Sequence, residues 1–459
     1  MTAHSRHELL RKYDVPGPRY TSYPTVPYWA GQPTADEWLT SLTLPGSTRR
    51  GAPAGAAVYV HIPFCESLCT YCGCNTRITR NHELGLRYVD IVQQEWEMYR
   101  RRLSPENQLP LAELHFGGGT PTFLAPLDLH RLAAGILGGG RVTPDAELSL
   151  EADPRVTTRE HLAALAELGF NRLSLGIQDF DPKVQEIVHR VQTEEQVDTV
   201  VQHARKLGFH SINFDLIYGL PFQTETSIRD TIEAVKRLNP DRLAFYAYAH
   251  VPWIKPAQRK FTEADLPVGE AKRYLYEVGR ELLEEAGFRE IGMDHFAKES
   301  DSLWTAAQEG RLHRNFMGYT ARPVWPQVGL GVSAIGDSWR LFAQNEKVLE
   351  PYMQRVLAGE LPIARGHTLT DEDLVLRQHI LNVMTSFATS WADPDLHIPF
   401  LDSAQERLRA LAQDGLVELQ SEGCSVTQLG RTFLRNVCMV LDARLARQTP
   451  PEKLFSRAV

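Results

Sequence analysis

Cysteine is scarce in this chain, six residues in 459. Such scarcity excludes the dense disulfide framework of small secreted domains. Residues 1–10 are polar and His-rich, so no apolar secretion leader is read there. No apolar run approaches the roughly 20 residues of a membrane-spanning helix. Positive charge is not in excess: 49 Lys and Arg face 57 Asp and Glu, a net charge of −8. That balance argues against broad nucleic-acid binding. No repeat of about 20–50 residues recurs, so a solenoid is not expected. The hydrophobic and charged fractions, 43% and 23%, fit a globular protein with one large and one smaller domain, or two to three domains.

What is present is concentrated. Cys65, Cys69, Cys72 and Cys74 crowd into Phe64-Cys65-Glu66-Ser67-Leu68-Cys69-Thr70-Tyr71-Cys72-Gly73-Cys74, directly after an apolar, strand-like run. Structural zinc usually draws its ligands as two separated pairs, and here Cys424 and Cys438 are distant and unpaired in spacing. The spacing C-x3-C-x2-C therefore favours an iron–sulfur cluster, which takes its thiolates from tight runs. Three thiolates on a 4Fe–4S cluster leave one iron open to bind a cofactor. Zinc stays open as the alternative at this point. Cys424 and Cys438 read as ordinary buried thiols.

From about residue 56 short apolar runs alternate with amphipathic helical stretches. Six strands are expected: Ala57–Ile62, Leu111–Phe116, Glu147–Glu151, Arg172–Ile177, Ser211–Ile217 and Arg242–Tyr248. Between the first two, Leu84, Tyr88, Ile91, Val92, Trp96 and Tyr99 recur at helical spacing. The others are bridged by Leu127–Leu137, Arg159–Leu168, Glu194–Leu207 and Glu225–Leu238. The fold class is α/β, a partial (β/α)6 TIM-like barrel. Residues 1–50 form an N-terminal arm that packs on the barrel, 51–288 the barrel, 289–365 a connecting, substrate-side region. Residues 366–459 form a mostly helical, winged-helix-like domain, with helices Ser403–Asp414 and Leu429–Leu445 around two short strands. Ser47–Ala57 reads as a Gly/Ala/Pro linker.

Chemistry in such barrels sits at the C-terminal ends of the strands. Cys65 follows the first strand there, and Gly117-Gly118-Gly119-Thr120-Pro121 follows the second. This glycine run is neither a Walker loop nor a dinucleotide fingerprint; it lets the backbone approach a ligand closely. Glu151, Gln178 and Asp215 fall at or near the ends of later strands and together line one rim. An Asp inside a buried strand is costly unless paired, which marks Asp215 for a ligand. Arg190, by contrast, reads from the residues alone as a surface ion pair.

The Cys65–Cys74 stretch with Tyr71, followed by the Gly-Gly-Gly-Thr-Pro run, resembles the radical S-adenosylmethionine superfamily. The arm Pro16–Thr25, Asn213–Pro221, Tyr246–Pro252, Gly292–Ala297, Arg314–Tyr319 and Arg435–Met439 resemble, within it, the oxygen-independent coproporphyrinogen III oxidases. The resemblance covers nearly the whole chain. It implies a 4Fe–4S cluster on Cys65, Cys69 and Cys72, and two molecules of S-adenosyl-L-methionine. Tyr59, Tyr71, Gly118 and Glu151 match positions contacting the first. Cys74, Gly119, Thr120, Gln178, Arg190, Asp215, Ala249 and Ile335 match positions around the second. The implied reaction turns two propionates of coproporphyrinogen III into vinyl groups by 5′-deoxyadenosyl radical chemistry. The implied setting is a cytoplasmic monomer fed by a reducing donor such as flavodoxin or ferredoxin. Four substrate carboxylates call for basic groups, for which Arg19, Arg311, His313 and Arg314 are candidates.

Two stretches depart from the family pattern, Thr320–Pro326 and Ile335-Gly336-Asp337, and both are expected to flank the substrate side. Such departures would suit a related enzyme that methylates or cyclopropanates another metabolite. A haem-chaperone relative typically lacks both Cys74 and the arm, so these two features argue against it. A zinc-dependent regulator using the C-terminal module is the reading from outside the family.

Overall fold

The computed structural model describes residues 6–43, 55–103, 110–448 and 455–457; most of the expected linker, residues 47–54, lies outside them. The core is a sheet of twelve strands. Six consecutive strands run parallel: β1 (Ala56–Ile62), β2 (Leu111–Gly118), β3 (Val142–Ala152), β4 (Arg172–Gln178), β5 (Ser211–Tyr218) and β6 (Arg242–Ala247). Helices over His82–Arg102, Pro126–Leu137, Arg159–Ala166, Glu194–Lys206 and Glu225–Leu238 return the chain between them. Their ends follow local chemistry. Thr193 and Thr224 cap the starts of two helices, and Asn239 takes the left-handed conformation at a C-terminus.

The sheet does not stop at six strands. Residues 288–368, where apolar alternation fades, contribute the other six. Phe288–Gly292 and His295–Lys298 form an antiparallel hairpin on β6. Gln327–Leu330 adds a parallel strand beside β1, and Ile335–Asp337, Leu341–Asn345 and Ile363–Thr368 continue it antiparallel. Their short length and buried polar residues, such as Gln327, Asp337, Gln344 and Asn345, hide them from periodicity. These polar groups are satisfied by partners elsewhere in the chain: Asp337 pairs with Arg377, and the Asn345 amide donates to Glu95 at 2.7 Å.

The C-terminal part has its own core around Leu376, Leu408, Phe433 and Val437. The expected helix over Leu429–Leu445 is broken into Gly430–Phe433, Leu434–Val440 and Ala443–Arg447. Asp442 breaks it, its side chain accepting from the Leu445 N–H as a fresh N-cap. Cys424 and Cys438 are buried in this core.

The arm packs on both parts of the molecule: Trp38, Leu39 and Leu42 lie in the barrel core, and the Trp38 indole N–H donates to the Tyr99 hydroxyl at 2.9 Å. Residues Arg6–Tyr13 are helical, and Leu9, Tyr20 and Tyr23 sink into the C-terminal core. The Tyr20 hydroxyl donates to Asp442 at 3.0 Å. The Arg435 guanidinium donates to the carbonyls of Gly17 and Pro18. Arg19, also on the arm, pairs with Asp294. Among the described residues, no helix is long and apolar enough to cross a membrane.

Candidate functional site

The cysteine loop leaves β1 through Phe64–Cys65, which pairs with Arg77–Ile78 so that the loop closes on itself. Cys69 is buried and Cys65 and Cys72 are half-buried, and all six cysteines are free thiols. Each of the three sulfurs meets a polar hydrogen. Thr120 Oγ1 lies 3.4 Å from Cys65 Sγ, and the Cys74 N–H donates to Cys72 Sγ at 3.4 Å. Cys69 Sγ accepts from Arg155 at 3.8 Å and from Arg190 at 3.7 Å. Donors of this kind favour thiolate, the form that binds metal, but at Cys65 burial outweighs Thr120 and pushes the thiol up to about 11. The Cys74 thiol hydrogen bond pulls Cys72 down to about 6, against the opposing effect of burial. Among the described residues, no three His, Cys, Asp or Glu side chains are arranged to hold a single metal ion.

The glycine run crosses the ends of β1 and β2. Gly118 has φ +117°, and an added Cβ there would lie 2.8 Å from the His61 ring. At Gly119 a Cβ would lie 2.8 Å from the Phe64 carbonyl oxygen. Only glycine permits this approach. The Gly119 N–H bonds Ile62 O and the Thr120 N–H bonds Phe64 O, which fixes the run against the cysteine loop.

Glu151 sits beneath it. Its carboxylate accepts from the Gly118 N–H at 3.1 Å and lies 3.3 Å from His115 Nε2. Burial raises its pKa, but His115 and Gly118 outweigh burial and hold the group below its ordinary value. Tyr59 stacks on His115 with ring centroids 5.9 Å apart. His115 thus belongs to the site although its residue type alone did not single it out. The signal was available: it stands two positions before Gly117, on the same face of β2.

Asp215 also faces the barrel interior. Asn213 and Ser174 donate to its two oxygens at 2.9 and 3.1 Å. Burial, reinforced by Glu151, raises it to about 6. Glu151 and Asp215 line one cavity of about 150 Å³. Gln178 ends β4 with φ +71°.

Arg190 is not a surface ion pair. It is 7% exposed, with its guanidinium on the Gly176 carbonyl, on Asp153 at 3.1 Å and on Cys69. Arg155 bonds the same Asp153 and the same sulfur. Neither Asp153 nor Arg155 was anticipated, although Asp153-Pro154-Arg155 directly follows β3.

Comparisons with known proteins show the family of the chain. A model of the radical SAM superfamily matches residues 59–235. Oxygen-independent coproporphyrinogen III oxidase from Escherichia coli is 41% identical over 458 residues, covering 98% of each chain. The protein of that name from Helicobacter pylori is 37% identical and covers 98% of this chain and 99% of its own. The chain belongs to the oxygen-independent coproporphyrinogen III oxidase family. A solved structure titled as coproporphyrinogen III oxidase (HemN) from Escherichia coli, a radical SAM enzyme, superposes with a TM-score of 0.87 at 38% identity. It covers 96% of this chain and 100% of its own. Family membership carries a 4Fe–4S cluster and S-adenosylmethionine with it.

The structure sorts the remaining expected residues of this coproporphyrinogen oxidase relative. Tyr71 packs beside Val184, Val188, Leu220, Tyr248 and Phe261, and Gln258 ties its carbonyl to that of Ala249. Ala249 borders a cavity of about 880 Å³ between the strand ends, the arm and the C-terminal part. Ile335 lies against Gly329, which neighbours Tyr59 across the sheet. Cys74 is exposed at the loop's end, its carbonyl accepting from Lys255 Nζ at 3.0 Å.

The four basic candidates are not brought together. Arg19 is paired with Asp294, and Arg311 is exposed and paired with Glu309. His313 is buried against Trp325, ring centroids 4.4 Å apart. Only Arg314 is both buried and uncompensated.

Thr320–Pro326 lies elsewhere than expected. Val324 packs on Ala57 and Ala112, and Arg322 bonds Ala112 O and pairs with Asp145. Those partners stand at the N-terminal ends of β1 and β2 and early in β3. The segment therefore seals the barrel end opposite the cysteine loop.

Proposed function

We infer that this chain is an oxidoreductase that oxidatively decarboxylates two propionates of coproporphyrinogen III to vinyl groups without oxygen, giving protoporphyrinogen IX. The observation that carries this reading is the whole-chain likeness to enzymes of that name, including the segments outside the radical SAM core. Cys65, Cys69 and Cys72 hold the 4Fe–4S cluster in this reading, and their sulfurs already meet N–H and O–H groups. When bound, the cluster and S-adenosylmethionine supply a 5′-deoxyadenosyl radical that abstracts hydrogen from a propionate.

The chain's own contribution is binding, orientation and exclusion. Tyr59, Tyr71, Gly118 and Glu151 contact one S-adenosylmethionine; the Glu151 carboxylate, held ionised by His115, suits an ammonium. Cys74, Gly119, Thr120, Gln178, Arg190, Asp215, Ala249 and Ile335 surround a second. Asp215 offers acceptors to ribose hydroxyls. Because Arg190 is already engaged by Asp153, its carboxylate-binding role requires a shared or shifted guanidinium. A cytoplasmic monomer and a flavodoxin- or ferredoxin-like donor complete the proposal.

The test is anaerobic reconstitution with iron and sulfide, followed by S-adenosylmethionine, a reductant and coproporphyrinogen III. Protoporphyrinogen formed together with 5′-deoxyadenosine supports the reading. Cofactor cleavage without a porphyrin product overturns it in favour of methyl transfer to another metabolite.

A further inference from the structure

The cavity of about 880 Å³ lies at the C-terminal ends of β5 and β6. That is the barrel end at which the cysteine loop leaves β1. Tyr218, Gly219, Ala247 and Ala249 border it. Its wall is tied to the loop, because the Gln258 amide donates to the carbonyls of Tyr71 and Ala249, both at 3.2 Å. The volume falls within the roughly 300–1,000 Å³ of sites that bury a small organic ligand. Tyr218, Tyr248 and Trp253 add aromatic surface to the lining, which suits a flat macrocycle.

The lining is basic in an acidic chain. Seven Lys and Arg side chains border the cavity against five Asp and Glu, whereas the whole chain carries 49 against 57. Four of the five acids already pair with arginines of the same lining, as Asp294 does with Arg19 and Glu290 with Arg431. The fifth, Glu263, is exposed. Among the described residues, two cations of the lining have no carboxylate partner, Lys272 and Arg435. Arg435 is engaged by the carbonyls of Gly17, Pro18 and Arg457.

Lys272 is different. It lies in the first turn of the helix Gly269–Glu285, the positive end of the helix dipole and a poor place for a lone cation. Val268 gives that helix no side-chain cap, and Val268 and Gly269 line the same cavity. The stem of Lys272 lies on Gly219, where an added Cβ would come within 2.7 Å of it. Its ammonium donates to the Tyr248 carbonyl at 2.9 Å. An ammonium has three hydrogens, so two remain for a ligand. Burial pushes Lys272 down to about 8, and Asp14 and Asp294, which oppose this, are held by Arg457 and Arg19. The charge is thus withdrawn from water without a counter-charge of its own.

We propose that this cavity receives the tetrapyrrole and that the Lys272 ammonium pairs there with one of its alkyl carboxylates. The inference rests on the functional reading above and adds where the macrocycle sits and which cation holds it. The ion pair neutralises both charges at the helix start. Lys272 positions the substrate and takes no part in hydrogen abstraction.

The test is equilibrium dialysis of the reconstituted full-length protein against coproporphyrin III and against its tetramethyl ester, which lacks the charges. Lys272→Met keeps the stem on Gly219 and removes the cation. It is expected to weaken the acid roughly tenfold or more and to leave the ester within about twofold. Lys272→Arg is expected to restore the acid to within about threefold of wild type. Unchanged acid affinity in Lys272→Met, or an equal loss for acid and ester, overturns the pairing and leaves the functional reading standing. Should the variant not fold, acetic anhydride labelling of the wild-type protein decides. Saturating coproporphyrin III is expected to slow acetylation of Lys272 roughly fivefold or more while the exposed Lys206 reacts as before; equal rates with and without the porphyrin overturn the site. A wild-type protein that binds neither porphyrin overturns the functional reading itself, and the site falls with it.

Discussion

The Arg190 guanidinium lies 3.7 Å from the Cys69 sulfur and 3.1 Å from Asp153. One cation therefore joins the cysteine loop to the strand end that follows β3. Arg155 repeats both contacts from the other side. The charge of Asp153 is matched, and the spare positive charge faces sulfur.

Arg190→Gln is thus expected to make cluster reduction harder. Losing an N–H···S contact and its charge, worth about 1 kcal/mol, corresponds to a potential more negative by roughly 50 mV. Redox titration followed by electron paramagnetic resonance measures this. An unchanged potential would sink the assignment.

Cys74 should be dispensable for cluster binding. Cys74→Ser is expected to retain iron and the absorbance near 400 nm, whereas Cys69→Ser loses both. Iron analysis after reconstitution decides the matter. Iron loss in the Cys74 variant would make that residue a ligand.

Asp215 carries a stability cost with a definite pH window. Its folded-state pKa of about 6 exceeds the ordinary 3.8, so ionising it in place opposes folding. The cost is absent below about pH 4, grows upward and is complete above about pH 6. Asp215→Asn should therefore stabilise the chain at pH 8 by about 1–3 kcal/mol, with the gain vanishing near pH 4. Urea unfolding at the two pH values tests this, and a pH-independent difference would refute it.

The Trp325 ring sits between His313 and Trp339, with centroids 4.4 and 4.8 Å away. Trp325→Ala should cost about 2–4 kcal/mol, the range for losing a large packed ring that is only half-buried. Because this segment closes the barrel end remote from the cysteines, KM for the tetrapyrrole should stay within about twofold below the melting transition. A large KM change with unchanged stability would restore the segment to the substrate side.

Arg435→Gln should loosen the arm around Arg19. Its guanidinium bonds the carbonyls of Gly17 and Pro18, next to Arg19, which Asp294 also holds. Trypsin cleavage at Arg19 is expected to accelerate roughly tenfold or more, the ratio that a loss of about 1.4 kcal/mol produces. An unaltered cleavage rate would show that Tyr20 and Tyr23 suffice.

The barrel was legible because its signals are local. Six apolar runs and their amphipathic partners carry their period within a few residues of one another, and Gly208, Asn239 and Gly287 mark helix ends. The cysteine spacing and the glycine run were equally local. What sequence did not reveal depends on distant pairing. The edge strands from Gln327 onward hold polar residues such as Gln327 and Asn345, whose burial is explained only by partners elsewhere in the chain. Arg190 read as an exposed ion pair because Asp153 and Cys69 are 37 and 121 positions away. Thr320–Pro326 stood out as unusual, but its place at the closed barrel end follows from Val324 meeting Ala57 and Ala112.

The bond from Arg435 to Gly17 links residues 418 positions apart. During synthesis the arm emerges early, yet the guanidinium that clasps it is made only after the barrel, the edge strands and most of the C-terminal core. The cysteine loop and its glycine run are complete long before that clasp exists. The order of translation thus leaves an interval in which the cysteine loop has been made while the residue that fastens Gly17 has not.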